Sequence, residues 1–395
     1  MNRSEACRAP LRIAIVSDGI GDVIAGSFIS SRRFAEGLHG RGHHIVFLSS
    51  RRLGQRRQDE LCGMPVHRLR GVLVPWSDRQ LYLAIPFLRR IRRVLAEVDI
   101  VHIMIPMPLG LAAARVAKSL GKPIVMHSHT QPENIFMNAP KFPGLNTLNE
   151  RFCAYVNWLY RQADVRIYPS EFSKRQFPEL TELPNVVISN GVDCERFRPT
   201  CPDAFMRRFN LSKRRRHLLY LGRLHREKNV ATLIRALPTI VQRHPDVHLL
   251  IVGLGYERPT LEALVRDEHV QDHVTFCGFV ADEDLPAAYA VGDVFVLPSL
   301  AELEGMAVLE AMACGKPLLI ADSPNSAATD FVTDNGLLFT AKNPDHLAER
   351  ADRLLVDPDC LRAMGTRSLE HSRRFDIRDS VQRIESVYRS LVSAP

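Results

Sequence analysis

No C-x-x-C pair occurs among the eight cysteines of this 395-residue chain. A zinc site or a disulfide scaffold draws on clustered cysteine, so neither is expected. Cys277 and Cys314 fall in apolar segments that read as core, which suits reduced thiols in the cytoplasm. No apolar run is long enough to span a membrane: the longest region, 100–117, is broken by His102, Pro106, Pro108 and Arg115. The first ten residues lack the basic-then-apolar layout of a signal peptide. Two glycine motifs stop short of the dinucleotide fingerprint, because Gly19-Ile-Gly21 has Ile24 and Gly253-Leu-Gly255 has Arg258 where the third glycine belongs. Gly315-Lys316 runs into Pro317 and is no P-loop. His127-Ser-His129 has no clear third ligand nearby, so no metal is expected. Nucleic-acid binding has charge alone in its favour and no motif, and is not expected.

What is present is the composition of a soluble globular protein, 46% hydrophobic and 24% charged, in a chain long enough for two cores. The net charge of +8 is uneven. Residues 1–200 carry 28 Lys/Arg against 17 Asp/Glu, a net +11, and the remainder carries 24 against 27, a net −3. A basic first half points to an anionic partner, either a membrane surface, a phosphorylated acceptor or nucleic acid; plain solubility is the alternative.

Apolar runs of strand type alternate with helical periodicity along the whole chain. Residues 11–16 read as a strand, 27–39 as a helix and 44–48 as a second strand, the opening of a doubly wound parallel sheet. Segments 99–103, 123–126, 165–168 and 186–189 are further strands, with helices over 109–120 and 147–161. After a Pro-rich linker near 193–203 the alternation restarts, with strands at 217–221, 247–252, 274–277 and 293–298. The segment 359–391 reads as helices. Residues 79–98 predict a helix with Leu88, Ile91 and Leu95 on one face and Arg89, Arg90, Arg92 and Arg93 on the other. That pattern fits a helix at an anionic bilayer, but an amphipathic domain helix with a solvated basic face is the reading slightly preferred.

The densest chemistry lies in 295–320, where a buried strand leads into a loop with Glu302 and Glu304, then a helix opening near Gly305. Glu310 sits inside that helix among Met, Ala, Val, Leu and Cys, where a carboxylate needs a partner. Open α/β sheets bind ligands at this carboxyl edge of the strands. Arg223 and Lys228 flank the turn after the strand 217–221, as a diphosphate requires. Glu302 and Glu310 would accept hydrogen bonds from ribose and sugar hydroxyls without metal.

These segments resemble the signature of the large retaining GT-B glycosyltransferase family 4. The run E-L-E-G-M-A-V-L-E-A-M-A-C-G-K-P carries Glu302 and Glu310 with seven residues between them, and four other segments agree in order. They are Gly26 with its helix and Gly42-His43, His129-Thr130, Asn190-Gly-Val-Asp193, and Gly222-Arg-Leu with Lys228. The resemblance covers about 11–390. It implies an α/β GT-B fold, two Rossmann-like doubly wound domains facing across a cleft. The N-terminal acceptor-binding domain would span 1–198 and the nucleotide-sugar domain 199–375. A C-terminal helix in 376–395 would cross back to the first.

It also implies roles. Arg223 and Lys228 would hold the donor diphosphate, and Glu310 the ribose. Glu302 would position the transferred sugar, with backbone at Gly305 and Met306 touching its hydroxyls. His129 would line the reacting centre, and the Gly26 loop would face acceptor and phosphates. The implied reaction moves a hexose, with retention, from a UDP or GDP sugar to a hydroxyl of a lipid or cell-envelope glycan. No cofactor or metal enters, and the leaving phosphate assists deprotonation of the acceptor. The implied place is the cytoplasm, peripheral at the inner face of the membrane. Two departures stand out: Ala25-Gly26 replaces a double glycine, and Ser323–Asp330 replaces a G-G-x-x-E segment. The alternatives are another GT-B sugar-nucleotide enzyme, an epimerase or phosphorylase, or a non-catalytic sugar-nucleotide-binding protein.

Overall fold

The computed structural model describes residues 9–20, 26–74, 81–131 and 144–393. The chain divides into two compact units, one built from residues up to Asn190 and again from Ile377 onward, the other from Gly191–Asp376.

Among the described residues, the first unit holds a nine-stranded sheet. Its strands are β1 (Arg12–Val16), β2 (His44–Arg51), β3 (Gln58–Leu61), β4 (Met64–Leu73), β5 (Tyr82–Ala84), β6 (Ile100–Ile103), β7 (Ile124–His127), β8 (Val165–Tyr168) and β9 (Asn185–Val187). They run in the order β3-β4-β2-β1-β6-β7-β8-β9, with β5 also on β4. β3 and β5 are antiparallel to β4; the other pairs are parallel. A sheet covered on both faces needs apolar residues at successive positions. β1 supplies them, with Ile13 and Ile15 in the core on one face and Ala14 and Val16 in the core on the other. The helix Ile377–Val392 belongs to this unit. Its Val381, Ile384 and Tyr388, at helical spacing, join Phe28, Phe34 and Leu38 of the helix Gly26–Gly40 in one core.

The second unit is a six-stranded parallel sheet of β10 (Arg216–Leu221), β11 (Val247–Val252), β12 (Val274–Gly278), β13 (Val294–Leu297), β15 (Leu318–Asp322) and β17 (Gly336–Thr340). Between them β14 (Ala301–Glu302) and β16 (Asn325–Ser326) form a two-stranded pair. The order β12-β11-β10-β13-β15-β17 is that of a doubly wound dinucleotide-type fold, reversing at β10/β13. The first sheet reverses in the same way at β1/β6.

Three readings need correction. Residues 82–84 are a strand, and the expected helix over 79–98 is only Leu88–Leu95; 79 and 80 lie outside the described residues. Pro86 accounts for the late start, since it lacks an N–H and holds the residue before it out of helical geometry. Leu88, expected on the buried face, is 56% exposed, whereas Ile91 and Leu95 are fully buried. The strands β3, β4 and β17 were not expected. In β4 the polar sequence hides the strand because Arg68 is buried, its Nε 2.8 Å from Asp59 and its Nη1 donating to the carbonyls of Ile20 and Ser50.

Candidate functional site

The switch point of the second unit collects most of the expected donor residues. Leaving β10, Gly222 leads to Arg223, whose carbonyl accepts from Tyr220 Oη at 2.7 Å and whose Nη2 donates to Glu227 at 3.1 Å. Glu227 is fully buried, so Arg223 is held at its base while its side chain stays 42% exposed. The turn Arg226–Lys228 closes at Asn229, which takes φ +51°, a left-handed geometry that Asn tolerates. Asn229 Nδ2 donates to Pro298 O at 3.2 Å, and Leu300 N donates to Glu227 O at 2.7 Å. These bonds join the loop after β10 to the loop after β13. They bring Lys228 Nζ to 2.5 Å from Glu302 Oε1, an ion pair with each side chain only 14% exposed.

The glycines of the loop after β11 have a packing purpose here. A Cβ at Gly253 would lie 1.9 Å from Gly222 O, and one at Gly255 would lie 2.2 Å from Leu224 O. Their spacing answers to loop meeting loop, which explains a glycine pair without the third fingerprint position.

Glu302 lies on β14, which pairs with β16, and Ser323 Oγ donates to Leu300 O at 2.6 Å. The Ser323–Asp330 departure thus supplies the strand that supports Glu302. Gly305 opens the helix Met306–Ala313 at φ +103°, where a Cβ would crowd Ala328. Met306 is the first helical residue, so backbone N–H groups of this turn point out of the helix start. Glu310, 6% exposed, has the partner its burial demands: Tyr289 Oη donates to Oε2 at 2.9 Å. Glu304 is buried as well.

His129, Gly26 and the four arginines belong to the first unit, so the expected catalytic pair of His129 and Glu302 is drawn from both units. His129 follows β7 and stacks on His127, with ring centroids 4.2 Å apart. Gly26 is the exposed first residue of its helix; Gly21, Ala25, Pro132, Glu133 and Asn134 lie outside the described residues. Arg89, Arg90, Arg92 and Arg93 are all exposed, beside Ile85, Phe87 and Leu88, which are 40%, 51% and 56% exposed. Two carboxylates at strand ends escaped the sequence reading. Glu227 lies beneath Arg223, and Asp18 follows β1 at the other switch point. Asp18 is fully buried, accepts from Ala84 N at 2.8 Å, and is pushed by burial up to about 7. An Asp directly after an apolar strand was the available signal.

The family model described as Glycosyltransferase Family 4 matches residues 24–196, and the model described as Glycosyl transferases group 1 matches 203–371. The chain carries two glycosyltransferase domains. The Family 4 domain holds His129 and the basic helix; the group 1 domain holds the ion pair, Arg223 and Glu310. Over 190 residues, 46% of this chain and 49% of the relative, the sequence is 37% identical to a GDP-mannose-dependent alpha-(1-6)-phosphatidylinositol monomannoside mannosyltransferase of Mycobacterium tuberculosis. The chain spans about half the length of the curated mannosyltransferases it matches. Among solved structures, it is similar to sucrose-phosphate synthase from Thermosynechococcus elongatus, with TM-score 0.78 and 22% identity, over 98% of this chain and 100% of that one. Anabaena HepE in complex with UDP-glucose gives TM-score 0.77 and 21% identity, over 96% and 100%. At that identity the likeness establishes fold, and with the two family matches it bears out the expected GT-B class. No described helix is long and apolar enough to cross a membrane.

Proposed function

We propose that this chain is a retaining hexosyltransferase that uses a nucleoside diphosphate sugar and acts on a hydroxyl of a lipid or cell-envelope glycan. The observation that carries the proposal is the Lys228–Glu302 ion pair at the β10/β13 switch point, with Arg223 in the loop that leaves β10 and Glu310 in the helix Met306–Ala313 that follows Glu302. Cations for a diphosphate and carboxylates for sugar hydroxyls converge at the edge where such sheets take nucleotides. In this reading Arg223 and Lys228 hold the diphosphate, Glu310 the ribose, and Glu302 the sugar with the backbone of Gly305 and Met306. His129 and the Gly26 loop serve the acceptor side, and no metal or cofactor is required. UDP-glucose in the HepE structure and GDP-mannose in the mycobacterial relative's name make UDP and GDP the donors to try first.

The test is a donor screen. UDP or GDP at a hundred times its dissociation constant stabilises the folded chain by about 2.7 kcal/mol, seen as a rise in Tm. Lys228→Met or Arg223→Met should weaken that binding about tenfold each, as loss of one charge-assisted contact implies. Wild-type protein that is folded, gives no shift and releases no nucleoside diphosphate from any UDP-, GDP- or ADP-sugar would sink the proposal.

We also propose a peripheral position at the cytoplasmic face of an anionic membrane; the phosphatidylinositol monomannoside in the relative's name is compatible with membrane association. Exposed Phe87 and Leu88 beside four exposed arginines combine apolar insertion with attraction to lipid phosphates. Each such arginine contributes roughly 1 kcal/mol near an anionic surface. Neutralising Arg89, Arg90, Arg92 and Arg93 together should therefore cut co-sedimentation with phosphatidylglycerol vesicles by at least about tenfold. Equal sedimentation of both proteins would remove this helix as a membrane contact.

A further inference from the structure

Three histidines of the first unit form a column that the proposed chemistry leaves unexplained. His102 on β6 lies parallel to His127 on β7, with centroids 5.5 Å apart and planes at 13°. His127 lies parallel to His129 at 4.2 Å and 22°. The far end is closed by Tyr388 of the C-terminal helix, whose Oη is 2.5 Å from His102 Nδ1. Phe34 stacks on His127 at 5.5 Å. His102, His127 and Tyr388 are fully buried or nearly so, and His129 is intermediate as a residue with its ring Nε2 buried.

Buried polar atoms are normally hydrogen-bonded, and exceptions call for an explanation. Neither ring nitrogen of His127 has a hydrogen-bond partner among the described residues, nor does Nε2 of His102 or His129. Burial holds all three imidazoles below their ordinary range, His102 at about 3, so the column carries no charge near neutrality. His127 therefore serves as a flat neutral ring between two others. The bond from Tyr388 stops His102 from turning about its Cβ–Cγ bond, whichever of the two atoms donates. Parallel stacking then passes that orientation along to the ring of His129.

We propose that His102 and Tyr388 are positioning residues that fix the ring of His129 through the stacked plane of His127. This rests on the reading that His129 lines the reacting centre. A helix that returns to the first unit after the whole second unit would thereby take part in setting the acceptor-side geometry.

The test uses the full chain with nitrogen-15-labelled histidine. Tyr388→Phe keeps the ring and removes the hydroxyl. It should move the ring resonances of His129 and lower kcat about tenfold with donor KM unchanged, as expected for a misplaced group rather than a lost ligand. His127→Phe restores a flat ring and should retain kcat within about threefold, whereas His127→Ala should lose it like Tyr388→Phe. A structural role alone would lower Tm but leave the His129 resonances in place. Unmoved resonances in Tyr388→Phe, or His127→Phe as inactive as His127→Ala, would overturn the proposal. If Tyr388→Phe does not fold, the two His127 variants decide it. A wild-type chain with no transferase activity would instead refute the functional reading, and the resonances would still report on the column.

Discussion

Replacing Glu302 by Gln should lower transfer by two to three orders of magnitude and, in the same protein, tighten binding of the nucleoside diphosphate. The two effects have opposite signs because Glu302 has two neighbours in the proposed complex. Toward the sugar, it is the acceptor that fixes the hydroxyls of the migrating group. Loss of one preorganised electrostatic contact of that kind costs about 3–4 kcal/mol at the transition state. Toward the protein, it is the counter-ion of Lys228, 2.5 Å away and shielded from water. A diphosphate must compete with that carboxylate for the same ammonium. The Gln side chain is nearly isosteric but uncharged, so Lys228 becomes an uncompensated cation. The nucleoside diphosphate should then bind about tenfold tighter, about 1.4 kcal/mol. Without nucleotide the variant should be less stable by about 1–3 kcal/mol, because a partly buried charge has lost its partner. Calorimetry of UDP and GDP binding with Glu302→Gln, Lys228→Met and the double variant closes the cycle. Turnover equal to wild type in Glu302→Gln would refute the carboxylate's role. Unchanged nucleotide affinity would show that Lys228 does not meet the diphosphate.

The sequence exposed the separate members of this site better than their relations. Lys228 and Glu302 could each be assigned because each follows an apolar strand at a ligand-binding edge. That they pair with one another depends on the bonds from Asn229 to Pro298 and from Leu300 to Glu227, which no spacing encodes. The same limit applies to His102 and Tyr388, which bond across 286 residues. Parallel strands such as β1 and β11 were legible because both of their faces are apolar. They were not legible in β4, where Arg68 satisfies its charge on Asp59 inside the fold and so looks like a surface residue in sequence. Glu310 was legible as an anomaly because its neighbours are apolar; its solution, the hydroxyl of Tyr289, lies 21 residues upstream on another helix. Asp18 was overlooked for the opposite reason. It sits in a turn rich in glycine, where an aspartate is ordinary, and only the strand packed over it makes its burial complete.

That burial gives the second large effect. Asp18 accepts one backbone hydrogen bond from Ala84, and its Oδ2 has no hydrogen-bond partner among the described residues. One such bond does not offset removal of the carboxylate from water, so the folded protein keeps the proton up to about pH 7. An unfolded Asp releases its proton near pH 4, at about 3.9. Between these values the folded state binds more protons than the unfolded one. The resulting stability is whole below about pH 4 and is lost as the pH rises to about 7. Roughly three pH units correspond to about 4 kcal/mol as an upper figure. Asp18→Asn has no proton to lose, so its stability relative to wild type should be lowest near pH 4.5 and rise progressively toward pH 8. Urea unfolding of both proteins at pH 4.5, 6 and 8, followed in the transition of the first unit, measures this directly. A stability difference that stays constant across that range would mean that Asp18 is ionised in the folded protein throughout, and that its charge has a partner in solution. If the difference grows as expected, the carboxyl at the β1/β6 switch point changes charge within the physiological range, which places a titrating group in the unit whose His129 and Gly26 are proposed to serve the acceptor.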